Sequence, residues 1–560
     1  MQQPQPLAQP FSTVMNDIET GAVKIPQFQR DFVWNRHKSA KLVDSLLKGY
    51  PIGTFILWRT REQLRSIRNL GNIELPPTPA GDYIHYVLDG QQRLTTLFAT
   101  VKGLSVERDG RTDDFSQMFI DLDADDDQDL VITDVSEKED QSFISVTDLL
   151  SAEFTALAAF PEKYHAKMQG YKKILEGYNF SVILVPEAPI DVATEIFTRI
   201  NVTGQPLSVF EIMVAKTYSV GRDFDLAQKT SELLQKLADA KYGTIPDIVV
   251  LQAVSAIMAK ESSKKVILKL DRDKFIDTWP EAVEAIKAAV DYFRSVLKIP
   301  VSQLLPYKAI LVPFAYFFYH HPNRPAGEMQ KYLIELFWRV SLGGYYSQSL
   351  ESRLAMDIRR VDAILNGRMP TYDYPVDTTK KFVAENGWFS TGRSFIKAIL
   401  CVLAAQRPRS FLDNAEVNIS NDWLKQANSR NYHHFFPKAY LRRQGADDGP
   451  ANHIGNITLV DDYLNKREIR DRKPSEYMRK FKRSNPEILR TMRTHLIDLD
   501  KFGVWENDYD RFLDRRCAAI ARQLSSKVIR RDIDDRGQVP TFDDFEEVEV
   551  AEREAVEIAV

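Results

Sequence analysis

Cysteine is almost missing from this sequence. Cys401 and Cys517 are the only two in 560 residues. They lie far apart with no partners at metal-binding spacing, which excludes a disulfide framework and a zinc ribbon and leaves them as packing residues. Apolar runs of membrane-spanning length, about 20 residues, are also missing: VILVPEAPI and PDIVVLQAVSAIMA are cut short by proline or charge. The polar start MQQPQPLAQP lacks a secretory pattern, so the expectation is a cytoplasmic protein with no membrane partner. No glycine loop ending in GK[ST] occurs, which removes P-loop phosphate chemistry. There is no groove-reading DNA motif, no repeat of fixed period, and no low-complexity stretch beyond the start and an acidic tail. Histidine is scarce, with nine in all.

What remains is the balance of an ordinary folded protein, 44% hydrophobic and 27% charged. At roughly 150 residues per domain the length implies about three or four units. The formal net charge of -4 argues against a uniformly basic nucleic-acid coat but averages over local patches. Residues 121–140 (DLDADDDQDLVITDVSEKED) and the tail TFDDFEEVEVAEREAVEIAV are acidic, whereas 465–493 is dense in Lys and Arg.

Residues 36–49 (RHKSAKLVDSLLKG) place Leu42, Val43, Leu46 and Leu47 at helical spacing before Gly49 and Pro51. TFILW (54–58), YIHYVL (83–88) and FSVILV (180–185) read as strands. DVATEIFTRIN reads as an amphipathic helix, and Ser208 and Glu211 have capping-box spacing. From about 221 to 420 helical segments dominate, among them FDLAQKTSELLQKLADA, PEAVEAIKAAVDYFRSVLK and MQKYLIELFWRVSL. The expected class is α+β, with domains at 1–220, 221–400 and 401–530 and a disordered acidic tail at 531–560.

Three N-terminal clusters carry chemistry: IPQFQRDFVW (25–34), VLDGQQRLTTL (87–97) and IFTRINVTGQPLSVFE (196–211). The order strand, Asp-Gly turn, helix puts Asp89, Gly90, Gln91, Gln92 and Arg93 at a helix N-terminus, where phosphate is favoured. Arginine forks match phosphate oxygens, and Gln or Asn can hold a base or sugar. An Asp-Gly pair is equally a plain tight turn, and Arg30 or Arg199 a surface ion-pair partner. Taken in order, QRDFVW, PIGTFILW, DGQQRLTTL and FTRINVTGQPLS resemble the ParB-like (ParB/sulfiredoxin-fold) N-terminal domain of GmrSD-type restriction proteins over about 10–220. The resemblance implies nucleotide binding and hydrolysis at Asp89, Gly90, Gln91, Gln92 and Arg93, with Arg30, Arg199 and Asn201 on matching positions.

At the other end, NYHHFFPKAYL (431–441) precedes ANHIGNITLVDDYLNKREIRDRKPSEY (451–477). An adjacent His pair, two spaced Asn residues and a basic run suit phosphodiester hydrolysis: a neutral imidazole takes a proton from water, and a cation neutralises the phosphate. This resembles the C-terminal HNH, or ββα-metal, nuclease domain of the same proteins over about 400–520, set among helices. The resemblance implies His434 as general base, Asn456 as its orienting residue, and His433 with Asn465 as metal ligands. Asp commonly stands where this chain has His433, so the expected divalent ion is Mg2+ or Mn2+, with Ni2+ or Zn2+ better suited to imidazole. His453 is a spare candidate for a ligand or a loop residue. Lys466, Arg467, Arg470, Arg472 and Lys473 open the run expected to contact phosphates.

The combined expectation is a nucleotide-regulated DNA endonuclease of bacterial anti-phage defence, with a divalent metal and a nucleoside triphosphate as its expected cofactors. The expected partner is double-stranded DNA, modified phage DNA above all, with a homodimer and other defence-system proteins left open. The rival readings are a phosphorothioate-sensing nicking nuclease, an RNase or toxin-like nuclease, and a nucleotide-switched DNA-binding regulator with an inactive nuclease site.

Overall fold

The computed structural model describes residues 3–25, 34–61, 64, 69–70, 73–74, 81–108, 111–125, 128–200, 208–219, 221–421, 432–445, 451–460, 469 and 471–536. Arg30, Asn201, Asn465, Lys466, Arg467 and Arg470 lie outside them. Two compact units divide between Leu226 and Ala227. Among the described residues no helix is long and apolar enough to cross a membrane.

The first unit is built on a five-stranded mixed sheet in the order Gln5–Pro10, Asn179–Pro186, Thr54–Thr60, Ile84–Asp89, Val23–Lys24. Neighbours alternate antiparallel, parallel, antiparallel and parallel across it. The three strands read from the sequence are its centre. Phe55, Leu57, Val87, Phe180, Val182 and Leu184 face a core shared with helices Phe11–Glu19, Arg36–Leu47, Gln91–Lys102 and Glu162–Gly177. Helix Arg36–Leu47 begins where the Asn35 side chain accepts from the Lys38 amide, which satisfies one of the orphan donors of a first turn. Both arms of the capping box between Ser208 and Glu211 are formed.

The second unit is mainly helical, as expected from 221 on, and includes Leu226–Asp239, Asp247–Ala259, Arg272–Ser295, Leu311–His320, Gly327–Leu342, Leu350–Leu365, Ser394–Ala405 and Tyr509–Ser525. The boundary expected at 400/401 falls inside helix Ser394–Ala405, so the chain does not break there. Pro280, which the sequence places at the start of a segment, sits inside helix Arg272–Ser295. Asp271 caps that helix two turns earlier, with its side chain accepting from the Lys274 amide. Phe275, Ile276 and Trp279 bury the added turns, and that packing outweighs the hydrogen bond a proline removes.

The first six residues of the expected tail are ordered, and 537–560 lie outside the described residues. Residues 531–536 are docked: Asp534 takes both terminal nitrogens of Arg339, at 3.0 and 2.7 Å, and Arg531 pairs with Glu335 at 2.6 Å. Arg339 and Glu335 are fully buried. A buried guanidinium is costly unless countered, and the first residues of the acidic segment supply the counter-charge.

Candidate functional sites

In the first unit, strand Ile84–Asp89 delivers Asp89 to a turn at Gly90, whose left-handed backbone (φ 90°) caps helix Gln91–Lys102. A Cβ at Gly90 would stand 2.4 Å from the Phe55 ring, so the position takes only glycine. Gly53 on the neighbouring turn has the same requirement, with φ 89° and a would-be Cβ 2.1 Å from the Arg93 guanidinium. Arg93 ties the two turns together. It donates to the carbonyls of Ile52 (2.6 Å) and Thr54 (3.0 Å) and to the Asp89 carboxylate (3.0 Å), and lies over the Phe55 ring at 5.1 Å.

PIGTF and DGQQR are therefore one structural motif, and three of the Arg93 hydrogen bonds go to the protein itself. Gln91 and Gln92 are buried. Gly90 gives the helix no side-chain cap, and the polar groups that converge at this turn are the start of helix Gln91–Lys102 and the partly exposed Asp89 carboxylate. Arg199 does not join them: it is exposed on helix Ile190–Ile200 and pairs with Glu195 at 2.6 Å.

In the second unit the His pair lies on a short strand, Tyr432–His434, paired antiparallel with Ile457–Leu459. Helix Pro474–Ser484, from the middle of the basic run, packs on this ladder. Tyr477, Met478 and Phe481 are buried with Phe435 and Phe436, and the Tyr477 hydroxyl donates to the Phe435 carbonyl. Its Arg479, Lys480, Lys482 and Arg483 face solvent. Lys473 is exposed and Arg472 half-buried just before the helix.

Successive strand residues face opposite ways, and this separates the two histidines. His433 is 1% exposed, among the rings of Phe411, Phe435 and Tyr477. Its Nδ1 meets the Thr458 hydroxyl at 2.9 Å, while its Nε2 has no partner. Burial, with His434, His495 and Arg516 nearby, holds its pKa well below the usual imidazole value.

His434 points the other way, and its Nε2 lies 3.1 Å from Asn452 Oδ1. Asn452 donates through Nδ2 to the Phe389 carbonyl at 3.1 Å, which fixes the amide with its oxygen toward His434. The imidazole must then carry its proton on Nε2 and present the Nδ1 lone pair. Burial lowers the His434 pKa to about 4, against the opposing hydrogen bond to Asn452, so the ring is neutral at pH 7.

Asn456, expected to orient the base, does not touch it. Its Oδ1 accepts from the Phe436 amide (2.8 Å), and its Nδ2 donates to the carbonyls of Phe436 (2.9 Å) and Ala451 (3.0 Å). Fully buried, it clamps the turn between His434 and Pro437. The residue that meets His434 is Asn452, which sequence reasoning passed over; its only signal was its place beside His453. His453 itself is structural: Nδ1 accepts from the Gly455 amide and Nε2 lies 3.1 Å from the Ala384 carbonyl.

Among the described residues no group of three or more His, Cys, Asp or Glu is arranged to hold a metal ion. His433 offers a single nitrogen, buried among aromatic rings. Arg516, fully buried with Nε and Nη2 unpartnered, adds positive charge to the same interior. Burial pushes its pKa down to about 9. Both cysteines are buried, as expected, and burial raises both thiols.

Residues 11–218 match the family model for the GmrSD restriction endonuclease, N-terminal domain. A curated relative, an uncharacterized protein of Methanocaldococcus jannaschii, is 25% identical over 515 residues, covering 82% of this chain and 84% of its own length.

Proposed function

We propose, from the match of residues 11–218 to the family model for the GmrSD restriction endonuclease N-terminal domain, that the chain is a defence nuclease that hydrolyses DNA phosphodiesters with His434 as general base. The observation that carries this reading is the Asn452–His434 pair. The Asn452 amide, itself fixed by Phe389, leaves a neutral imidazole with its lone pair on Nδ1. A general base needs just that: a defined tautomer, deprotonated at working pH, held in place before substrate arrives. The Asn456 clamp and the helix Pro474–Ser484 against a two-stranded ladder support an HNH-like arrangement.

In this reading His434 Nδ1 accepts the proton of the attacking water, and the exposed cations of Pro474–Ser484 hold the phosphate backbone. A divalent ion, when bound, would neutralise charge on the departing oxygen. Its expected donors are His433 and Asn465, the second of which lies outside the described residues. At the other end, Asp89 and the first amides of helix Gln91–Lys102 would meet a nucleoside triphosphate, with Arg93 as the strut that shapes the turn. Modified DNA is the expected target, and nucleotide turnover would gate cutting through a coupling of about 1 to 3 kcal/mol.

The burial of His433 favours a second reading, a nucleotide-switched DNA-binding regulator that does not cut. One experiment separates the two. Plasmid carrying modified or unmodified bases is incubated with wild type and His434→Ala, with several divalent metals and triphosphates. A general base contributes about 10²- to 10⁴-fold. Cleavage is expected to fall by that much while DNA affinity holds. Undiminished cutting by the variant would falsify the assignment, and no cutting by wild type under any condition leaves the regulator.

A further inference from the structure

Helices Leu226–Asp239, Arg272–Ser295 and Ser394–Ala405 end around one cavity of about 480 Å³ in the second unit, within the roughly 300–1,000 Å³ of small-ligand sites. Its lining includes Lys241, Arg294, Lys298, Arg407 and Glu416. Four cations thus face one carboxylate, in a chain whose formal charge is negative. Glu416 is already taken by Arg407, at 2.6 and 3.1 Å. Arg294 reaches Asp291 only at 3.8 Å.

Three of the four, Lys241, Lys298 and Arg407, stand in left-handed backbone just past the three helix ends, with φ of 64°, 60° and 54°. Glycine is the usual residue there. Cations near helix C-termini answer the negative end of the helix dipole, but that end amounts to about half a charge per helix. Three ends account for less than the excess that four cations and one carboxylate leave.

The wall segment 407–421 is held on both sides of the cavity. Lys241 Nζ donates to Asn418 Oδ1 (3.2 Å), and Asn421 Nδ2 donates to the Lys241 carbonyl (2.9 Å). From the same segment, the Arg409 carbonyl meets His495 Nε2 at 2.7 Å, and the Phe411 ring packs on His433. The wall of the cavity is thus also a wall of the core behind the His434 strand.

We propose that this cavity binds phosphate, in the form of the phosphodiester groups of a nucleic-acid strand. Strand as source, over free nucleotide, rests on the reading that the chain acts on DNA. A strand seated here would press on the segment that packs against His433.

The test measures binding of a fluorescent single-stranded twelve-thymidine oligonucleotide, and separately of a fluorescent ATP analogue, to the full-length protein in chelator across a salt series. Both are compared with the double variant Arg294→Glu and Lys298→Glu, and with a control that reverses equal charge elsewhere, Lys331→Glu and Lys381→Glu. All four side chains are exposed, and matched thermal melts show that the variants fold. A single-strand contact contributes about 0.7 to the logarithmic salt slope. The cavity variant is expected to lose about 10-fold or more in oligonucleotide affinity and to flatten the slope by about 1.4, while the control stays near wild type. Three results would overturn the proposal: wild-type affinity and slope in the cavity variant, equal losses in the control, or loss of the ATP analogue alone, which would assign the site to free nucleotide. Cleavage assays on the same variants keep the two readings apart. Cutting with unchanged binding sinks only the cavity, and altered binding without cutting by wild type sinks only the nuclease.

Discussion

In the unit that ends at Leu226, the polar side chain that shapes the candidate site is spent on backbone: Arg93 closes two glycine turns through the carbonyls of Ile52 and Thr54. In the unit that begins at Ala227, charge and imidazole go into the interior instead. Arg339 and Glu335 are fully buried as an ion pair, and His433, His453 and His495 are buried with lowered pKa values. The first arrangement sets geometry at little electrostatic cost. The second is stable only while each buried group keeps its partner or its neutral form. The two units should therefore fail under different insults.

The largest difference is expected from removing one partner on each side. Asp534→Ala leaves the buried Arg339 guanidinium with Glu335, the Ile529 carbonyl and the Tyr372 ring, and the loss of one carboxylate from such a network is expected to cost up to about 3–5 kcal/mol, the full penalty of an unpaired buried charge. Arg93→Met removes bonds to partly solvated carbonyls and a carboxylate, at about 1–3 kcal/mol. Denaturant melts followed by hydrogen exchange in Gly327–Leu342 and Ile84–Asp89 would compare them. A smaller loss for Asp534→Ala than for Arg93→Met would show that the tail segment is not needed where it docks.

The contrast also tells what the sequence can and cannot reveal. The strands at 54, 84 and 179 and the 36–47 helix were legible because they rest on local periodicity and caps. The docking of 531–536 was not, because it answers a buried charge some 195 positions away. The divergence of His433 from His434 was legible in principle, since neighbours on a strand face opposite sides. Motif spacing alone hid it. Asn452 was invisible for another reason: its role depends on the Phe389 carbonyl, 63 positions earlier.

A milder insult is acid. His434 and His495 have folded pKa values lowered to about 4, both chiefly by burial. Unfolded imidazole titrates near 6.5, so the unfolded chain binds protons that the folded one refuses. Stability is full above pH 6.5 and drops as pH falls from there toward 4, by up to about 1.4 kcal/mol per pH unit for each histidine. The second unit should lose protection against hydrogen exchange between pH 6.5 and 5 sooner than the first, whose His85 is also lowered but stands alone in this. Parallel losses in both units would mean that the buried imidazoles do not set the acid limit.

The smallest expected effect is also the sharpest, His433→Phe. The ring site is apolar, formed by Phe411, Phe435 and Tyr477. Substitution gives up the Nδ1 contact with Thr458, whose hydroxyl keeps its 3.3 Å bond to the carbonyl at 433. It also removes the unpartnered Nε2. A lost hydrogen bond and a relieved orphan are each about 1 kcal/mol and opposite in sign, so the melting midpoint should move little, by less than about 1 kcal/mol in stability. By contrast, His433→Asp would bury a carboxylate among those rings and should destabilise the unit strongly. If His433 acts only in packing, DNA cleavage by the Phe variant stays near wild type with the same metal preference. If it is a metal ligand, as the HNH resemblance implies, the variant keeps its fold and loses cutting by about 10-fold to 100-fold or more, because loss even of an outer-shell partner costs that much. Cleavage and melting read on one preparation decide between the two, since only the ligand role separates activity from stability at this position.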